Sequence, residues 1–140
     1  MKQYFDTSVL VSAFVEDERC HEECAEAVAN AKEGVVSAHA LAECFSILTG
    51  GRLPVRLLPD AAAQMIETNV YSRMKVMTLT ARETMNHLSG CHRLGIRGGG
   101  VYDSLHIAAA RKADVTEIFT LNLRHFTAFA PDLASIIRVP

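Results

Sequence analysis

Lys2-Gln3-Tyr4-Phe5-Asp6-Thr7-Ser8, followed by the apolar run Val9–Val15, is the stretch that decides the fold. Lys2–Phe5 is short and aromatic and reads as a strand. Ser or Thr ahead of an apolar run is a helix-start signal, so Val9–Val15 reads as a helix entered directly from that strand. The run is only seven residues long and is followed at once by Glu16, Asp17 and Glu18. That is too short to span a bilayer and wrongly flanked for a secretory signal, so no membrane association and a cytoplasmic location are expected.

The alternation continues downstream. Cys20–Lys32 is Ala- and Glu-rich and reads as a helix stopped at Gly34, a favourable C-terminal residue. Gly34–Ser37 reads as a strand, His39–Leu48 as a helix closed by Gly50-Gly51, and the two prolines in Arg52–Pro59 as a loop or broken turn. Asp60–Tyr71 is the next helix and Lys75–Leu79 the next strand. Thr80 with Glu83 three residues on makes a capping box for a helix running toward Leu94 and stopped at Gly95. Gly98-Gly99-Gly100 reads as a flexible loop ahead of an Ala-rich helix, Asp103–Lys112. Glu117–Leu121 reads as a strand, Arg124–Phe126 as a turn or short helix, and Ser135–Val139 as a last strand. Strands alternating with helices throughout imply an α/β fold, a mostly parallel sheet of four to five strands with helices on both faces.

The chain has 140 residues, which fits one domain spanning residues 1–140 with a core that needs no staples. Fourteen Lys plus Arg against 16 Asp plus Glu give a formal charge of −2, which argues against a protein that coats polyanions. It leaves room for a nuclease with a local basic rim. Trp is absent and aromatics make up 6%, which disfavours single-strand binding by base stacking. Cys20, Cys24, Cys44 and Cys91 form no C-x-x-C pair, and their spacing matches no structural zinc pattern. They read as buried or half-buried thiols in a reducing compartment.

Ligands of open parallel sheets bind beyond the carboxyl ends of the strands. Asp6, Glu43, Asp103 and Asn122 are the polar residues the pattern sends there. Glu43 lies on a helix apolar nearly all round, which predicts a largely buried helix. His39, Glu43 and Ser46 make one narrow polar stripe on it, and a carboxylate so placed is costly unless paired with a cation or a metal. Asp6 also suits a helix cap, and Asp103 a helix N-terminus, whatever their function.

Asp6-Thr7-Ser8 after the first strand, Glu43 on the helix after the second, and Tyr102-Asp103-Ser104-Leu105-His106-Ile107-Ala108-Ala109-Ala110 resemble the PIN-domain ribonucleases. Their VapC-type toxins, from toxin–antitoxin pairs, are the nearest subgroup. Phe119-Thr120-Leu121-Asn122-Leu123-Arg124-His125-Phe126 is similar to that family's last motif. The resemblance implies a three-layer α/β/α sandwich and an acidic cluster of Asp6, Glu43 and Asp103. That cluster would bind Mg²⁺ or Mn²⁺ and hydrolyse RNA phosphodiester bonds. Thr7, Ser8 and Thr120 are implied as orienting groups. Asn122 stands where the motif often carries an acid, which bears on whether one ion or two are held. An antitoxin partner and a dimeric toxin are further implications.

The chemistry agrees independently: Mg²⁺ takes oxygen ligands and keeps several waters, so two or three carboxylates suffice. Arg97, Arg111, Lys112 and Arg124 lie around the two C-terminal motifs and are candidate RNA contacts. A phosphatase using Asp6 as nucleophile would want a second acid two residues later, where Ser8 stands. A catalytically inactive PIN fold serving as a binding protein is the remaining alternative, and it would be signalled by loss of the acids.

Overall fold

The computed structural model describes residues 1–54 and 56–140. Its sheet has five strands: β1 (Lys2–Phe5), β2 (Glu33–Ser37), β3 (Lys75–Met77), β4 (Glu117–Phe119) and β5 (Ile137–Arg138), in the order β3-β2-β1-β4-β5. Every neighbouring pair is parallel, as the alternation predicts. β1 is central, pairing Tyr4 with Val35 on one side and with Ile118 on the other.

Period-2 geometry sends successive side chains to opposite faces, and the buried residues divide accordingly. Phe5 and Val36 join the core beneath α1 (Thr7–Phe14), α2 (His21–Asn30), α3 (Ala38–Thr49) and α4 (Pro59–Ile66). Tyr4, Val35 and Ile118 join the core beneath α6 (Gly100–Ala113) and α7 (Leu123–Phe129). The α5 helix (Ala81–Gly90) buries no residue completely and lies against α6. Helices therefore cover both faces, giving the α/β/α sandwich.

Several boundaries depart from the sequence expectation. The first helix begins at Thr7, two residues earlier than Val9, because Asp6 accepts the Val9 amide and caps it. Gly34 is not a cap: α2 ends at Asn30, and Gly34 is a strand residue where a Cβ would meet Met74 Cγ at 2.9 Å. The capping box at Thr80 and Glu83 is present as expected. The helix it starts is α-helical to Gly90, and a 3₁₀ turn over Cys91–Leu94 carries the chain to Gly95, whose φ of +66° ends it. The glycine run is only partly a loop, because α6 starts at Gly100 and Asp103 lies in its first turn. Asp60–Tyr71 is helical, but its second half, Glu67–Tyr71, is wound as a π-helix. β3, β4 and β5 are shorter than read, and a 3₁₀ segment over Pro131–Ile136 takes up the start of the expected last strand. Within the expected loop Arg52–Pro59, position 55 lies outside the described residues.

The strand order also sets where a ligand fits. From β1 the chain moves out through β2 to β3, then returns to the other side of β1 for β4 and β5. The reversal makes the crevice beyond the carboxyl ends of β1 and β4 the topological switch point. Asp6 directly follows β1, and Thr120 directly follows β4.

Candidate active site

Asp6 is 2% exposed. Its Oδ1 accepts from the Ser8 hydroxyl at 2.6 Å and the Val9 amide at 3.1 Å, and its Oδ2 from the Thr120 hydroxyl at 2.6 Å. Both hydroxyls are themselves fixed: Ser8 Oγ accepts from the Leu121 amide and Thr120 Oγ1 from the Asn122 amide. The Asp6 amide donates to Phe119 O at 3.1 Å, holding the ends of β1 and β4 together. Burial pushes the Asp6 carboxyl up from its ordinary value, and the nearby His106 and the Ser8, Thr120 and Val9 bonds offset this only in part. Asp6 is thus both cap and candidate ligand: one oxygen serves the helix, the other meets the partner strand.

Glu43 is a third exposed and is tied to α1 and α6 through one oxygen. Its Oε1 accepts from the Thr7 hydroxyl at 2.7 Å and lies 2.8 Å from His106 Nε2. Tyr4 OH lies 2.6 Å from His106 Nδ1, and Thr7 Oγ1 lies 3.2 Å from His106 Nε2. One tautomer satisfies the set: Nε2–H donates toward Glu43 and Thr7, and Nδ1 accepts the Tyr4 hydroxyl. Burial raises the Glu43 carboxyl, but the His106 and Thr7 bonds, with the fields of His106 and His39, outweigh it. The group is held below its ordinary value. The cost of that carboxylate is therefore met chiefly by the His106 imidazole and the Thr7 hydroxyl. The α3 helix is less buried than its apolar sequence predicts: Ala40, Cys44 and Leu48 face the core, while Phe45 and Ser46 are exposed. Ser46 takes no part in the cluster's hydrogen bonds.

His39 completes the group. Its Nε2 lies 2.8 Å from the same Glu43 oxygen, yet off the line a hydrogen bond needs, so this fully buried atom has no hydrogen-bond partner. The ring packs 5.1 Å from His106 and 5.5 Å from Tyr102.

Asp103 sits one turn before His106 on α6, and residues three apart share a helix face. Its Oδ2 lies 3.4 Å from the mostly exposed His125 on α7. Hydrogen bonds thus link Asp6, Ser8, Thr120 and Asn122 in one set and Thr7 and Glu43 in another, the two joined by the chain at Asp6-Thr7. Asp103 is attached through the face of α6. The tightest metal-ligating group among the described residues is His39, Glu43 and His106, with ligand atoms within 4.8 Å of one another.

Of the candidate RNA contacts, Arg111 makes a bidentate pair with Asp132 at 2.7 and 2.8 Å. Lys112 is held by Glu83 and Thr78 O. Arg97 and Arg124 are exposed. A cavity of about 430 Å³ opens beside the site, bordered by Ser8 and Asn122 and carrying Arg19 and Arg52. Arg19 is fixed there by donating to Leu121 O at 3.0 Å. Sequence reasoning named neither arginine, nor Tyr4 or His106 as site residues. Only the i, i+3 spacing of Asp103 and His106 carried a signal. The cysteines stay free thiols, and none joins a metal-ligating group among the described residues.

Comparison with known proteins agrees with this fold. The family model for the PIN domain matches residues 4–130. The chain is 34% identical over 122 residues to ribonuclease VapC27 of Mycobacterium tuberculosis, covering 85% of this chain and 83% of that one. In fold it is similar to M. tuberculosis VapC20, described as a toxin that cleaves the sarcin–ricin loop. That match has TM-score 0.65 and 20% identity and covers 84% and 87% of the two chains. It is also similar to VapBC2 of Rickettsia felis bound to a promoter DNA fragment, with TM-score 0.67, 16% identity and coverage of 99% and 98%. The chain belongs to the PIN-domain family. No helix among the described residues is long and apolar enough to cross a membrane.

Proposed function

We propose that this chain is a divalent-metal-dependent ribonuclease acting as the toxin of a toxin–antitoxin pair, with residues 1–140 working as one nuclease domain in the cytoplasm. The observation that carries the reading is a wholly buried carboxylate, Asp6, kept at the switch point of a PIN fold by two hydroxyl donors. A buried carboxylate is expensive, and as a cap alone it needs neither Thr120 nor burial.

The donors fit a hard cation. Asp6, Glu43 and Asp103 offer carboxylate oxygens, and Asn122, exposed beside Thr120, offers an amide oxygen without charge. These residues would hold Mg²⁺ or Mn²⁺. The chemistry supplied there would be activation of a water and neutralisation of charge on the attacked phosphoryl group. The chain's own residues do the rest. Ser8 and Thr120 orient Asp6, and Thr7 and His106 orient Glu43. Asp103, one turn before His106 on α6, would add the third carboxylate. Arg19 and Arg52, with exposed Arg97 and Arg124, supply the cationic rim for the RNA backbone; Arg111 and Lys112 contribute only if their ion pairs open.

Partnership with an antitoxin is supported by the VapC-type relatives. A homodimer is supported by the exposed Met85, Leu88 and Leu94 on α5 and the turn after it. An inactive binding protein is disfavoured by the presence of all three acids. The deciding experiment is cleavage of a mixed RNA substrate by the purified chain with Mg²⁺ or Mn²⁺, with excess EDTA, and by Asp6→Asn, Glu43→Gln and Asp103→Asn. Cleavage that survives EDTA, or that persists in all three variants, overturns the reading.

A further inference from the structure

Three potential ligand atoms converge on one point between α3 and α6. Glu43 Oε1 receives the Thr7 hydroxyl and stands 2.8 Å from both His106 Nε2 and His39 Nε2. A carboxylate oxygen has only about two lone-pair sites, and Thr7 and His106 take them with good geometry. The His39 nitrogen is left against an oxygen already in use, buried and without a hydrogen bond. A neutral ring with its lone pair facing that oxygen is repelled, and a protonated one finds no aligned acceptor. A cation shared by both imidazoles and the carboxylate removes the conflict.

We propose that His39, Glu43 and His106 form a binding site for a borderline transition ion of the Zn²⁺ and Co²⁺ class, which shares Glu43 with the carboxylate centre and differs from it in its two imidazole donors. Imidazole nitrogens suit such ions, whereas Mg²⁺ prefers oxygen. Two histidines and one carboxylate are a donor set that zinc accepts with one position open. Atoms bound to one tetrahedral ion at about 2.0–2.1 Å lie about 3.3 Å apart; the two 2.8 Å separations would open by about half an ångström, and the two imidazole nitrogens, within 4.8 Å of each other, would settle to the same spacing. His39 and Glu43 are one turn apart on α3, a spacing that places both on one helix face. His106 becomes a ligand in its other tautomer, with Nε2 bare and Nδ1–H donating to Tyr4 OH across the same 2.6 Å, the outer contact that metal-bound histidines ordinarily have. The inference stands whether or not the chain cleaves RNA.

The test uses the full chain stripped of metal. Zn²⁺ is titrated by calorimetry, and Co²⁺ by visible absorption, which reports nitrogen coordination directly. One ion is expected per chain. His39→Gln, on the more accessible ring, should weaken binding roughly tenfold or more with an unchanged metal-free melting temperature. His106→Gln should weaken binding likewise and also lower the metal-free melting temperature, because its ring is buried and bonded to Tyr4, Thr7 and Glu43; His39→Gln decides if that variant fails to fold. Asp103→Asn should bind as the wild type does. Equal affinity in His39→Gln and wild type overturns the proposal. So does loss of the Co²⁺ spectrum in Asp103→Asn, which would put the ion among the carboxylates. Mg²⁺-supported RNA cleavage, measured separately, bears on the ribonuclease reading alone.

Discussion

At the carboxyl ends of β1 and β4 the chain buries Asp6, Thr7 and Thr120 in two adjoining hydrogen-bond sets; at the amino ends of the same strands its charges stay in water. There the N-terminal ammonium pairs with Glu33 at 2.8 Å, both more than half exposed, and Lys2, Lys32, Arg73 and Lys75 rim an open cavity. The Glu33 carboxyl is lowered by its bond to that ammonium, an interaction that solvent largely screens. The sheet needs neither arrangement for its ladder. The difference has a physical reason: burying polar groups is costly, and around Asp6 both carboxylate oxygens and the hydroxyls on them are matched.

The strongest way to break the contrast is at Asp6. Asp6→Asn is expected to remove cleavage while raising the metal-free melting temperature, because an ionised Asp6 is penalised by burial. Its folded value lies above its ordinary 3.8, so the protonated form is the one the fold favours. The group's contribution is therefore complete below about pH 4 and lost as pH rises through the raised value. Melting curves from pH 4 to 8 should show the gap between variant and wild type widening with pH; a gap that narrows rejects the sign. Glu43 runs oppositely. Its folded value is lowered, so its contribution is present above its ordinary 4.5 and is lost as pH falls below it.

Thr120→Val comes next. It keeps the shape but leaves Asp6 Oδ2 and the Asn122 amide without partners. A loss of about 1–3 kcal/mol is expected in urea unfolding, with weakened cleavage. Tyr4→Phe removes the hydroxyl on His106 and should cost about 1 kcal/mol, with a lower kcat as Glu43 loses its support. Asn122→Asp adds a fourth negative charge next to Thr120. It should tighten Mn²⁺ binding and lower metal-free stability, read by paired calorimetric titrations; unchanged affinity and stoichiometry place Asn122 outside the metal shell. Glu33→Gln, at the solvated end, should leave both melting temperature and cleavage unchanged.

The legible part of this protein was the part written in neighbouring residues. The period switch at Asp6 located the first strand and helix, Thr80 and Glu83 capped a helix as their spacing requires, and alternation gave a parallel sheet. Gly34 misled because a glycine suits a helix end and a strand crowded by Met74 equally well. The all-apolar α3 misled because apolar residues are common on surfaces too.

Composition, periodicity and the family motifs were enough to put forward Asp6, Glu43 and Asp103 as candidates. The sequence did not encode locally that Thr120 would reach Asp6 across 114 residues, or that His106 would meet Glu43 across 63. Those contacts depend on β1 lying between β2 and β4, and on the register that sets Phe5 beside Phe119. Strand order is chosen by packing two helix layers onto one sheet. Residues far apart in the chain become neighbours only once that packing is complete.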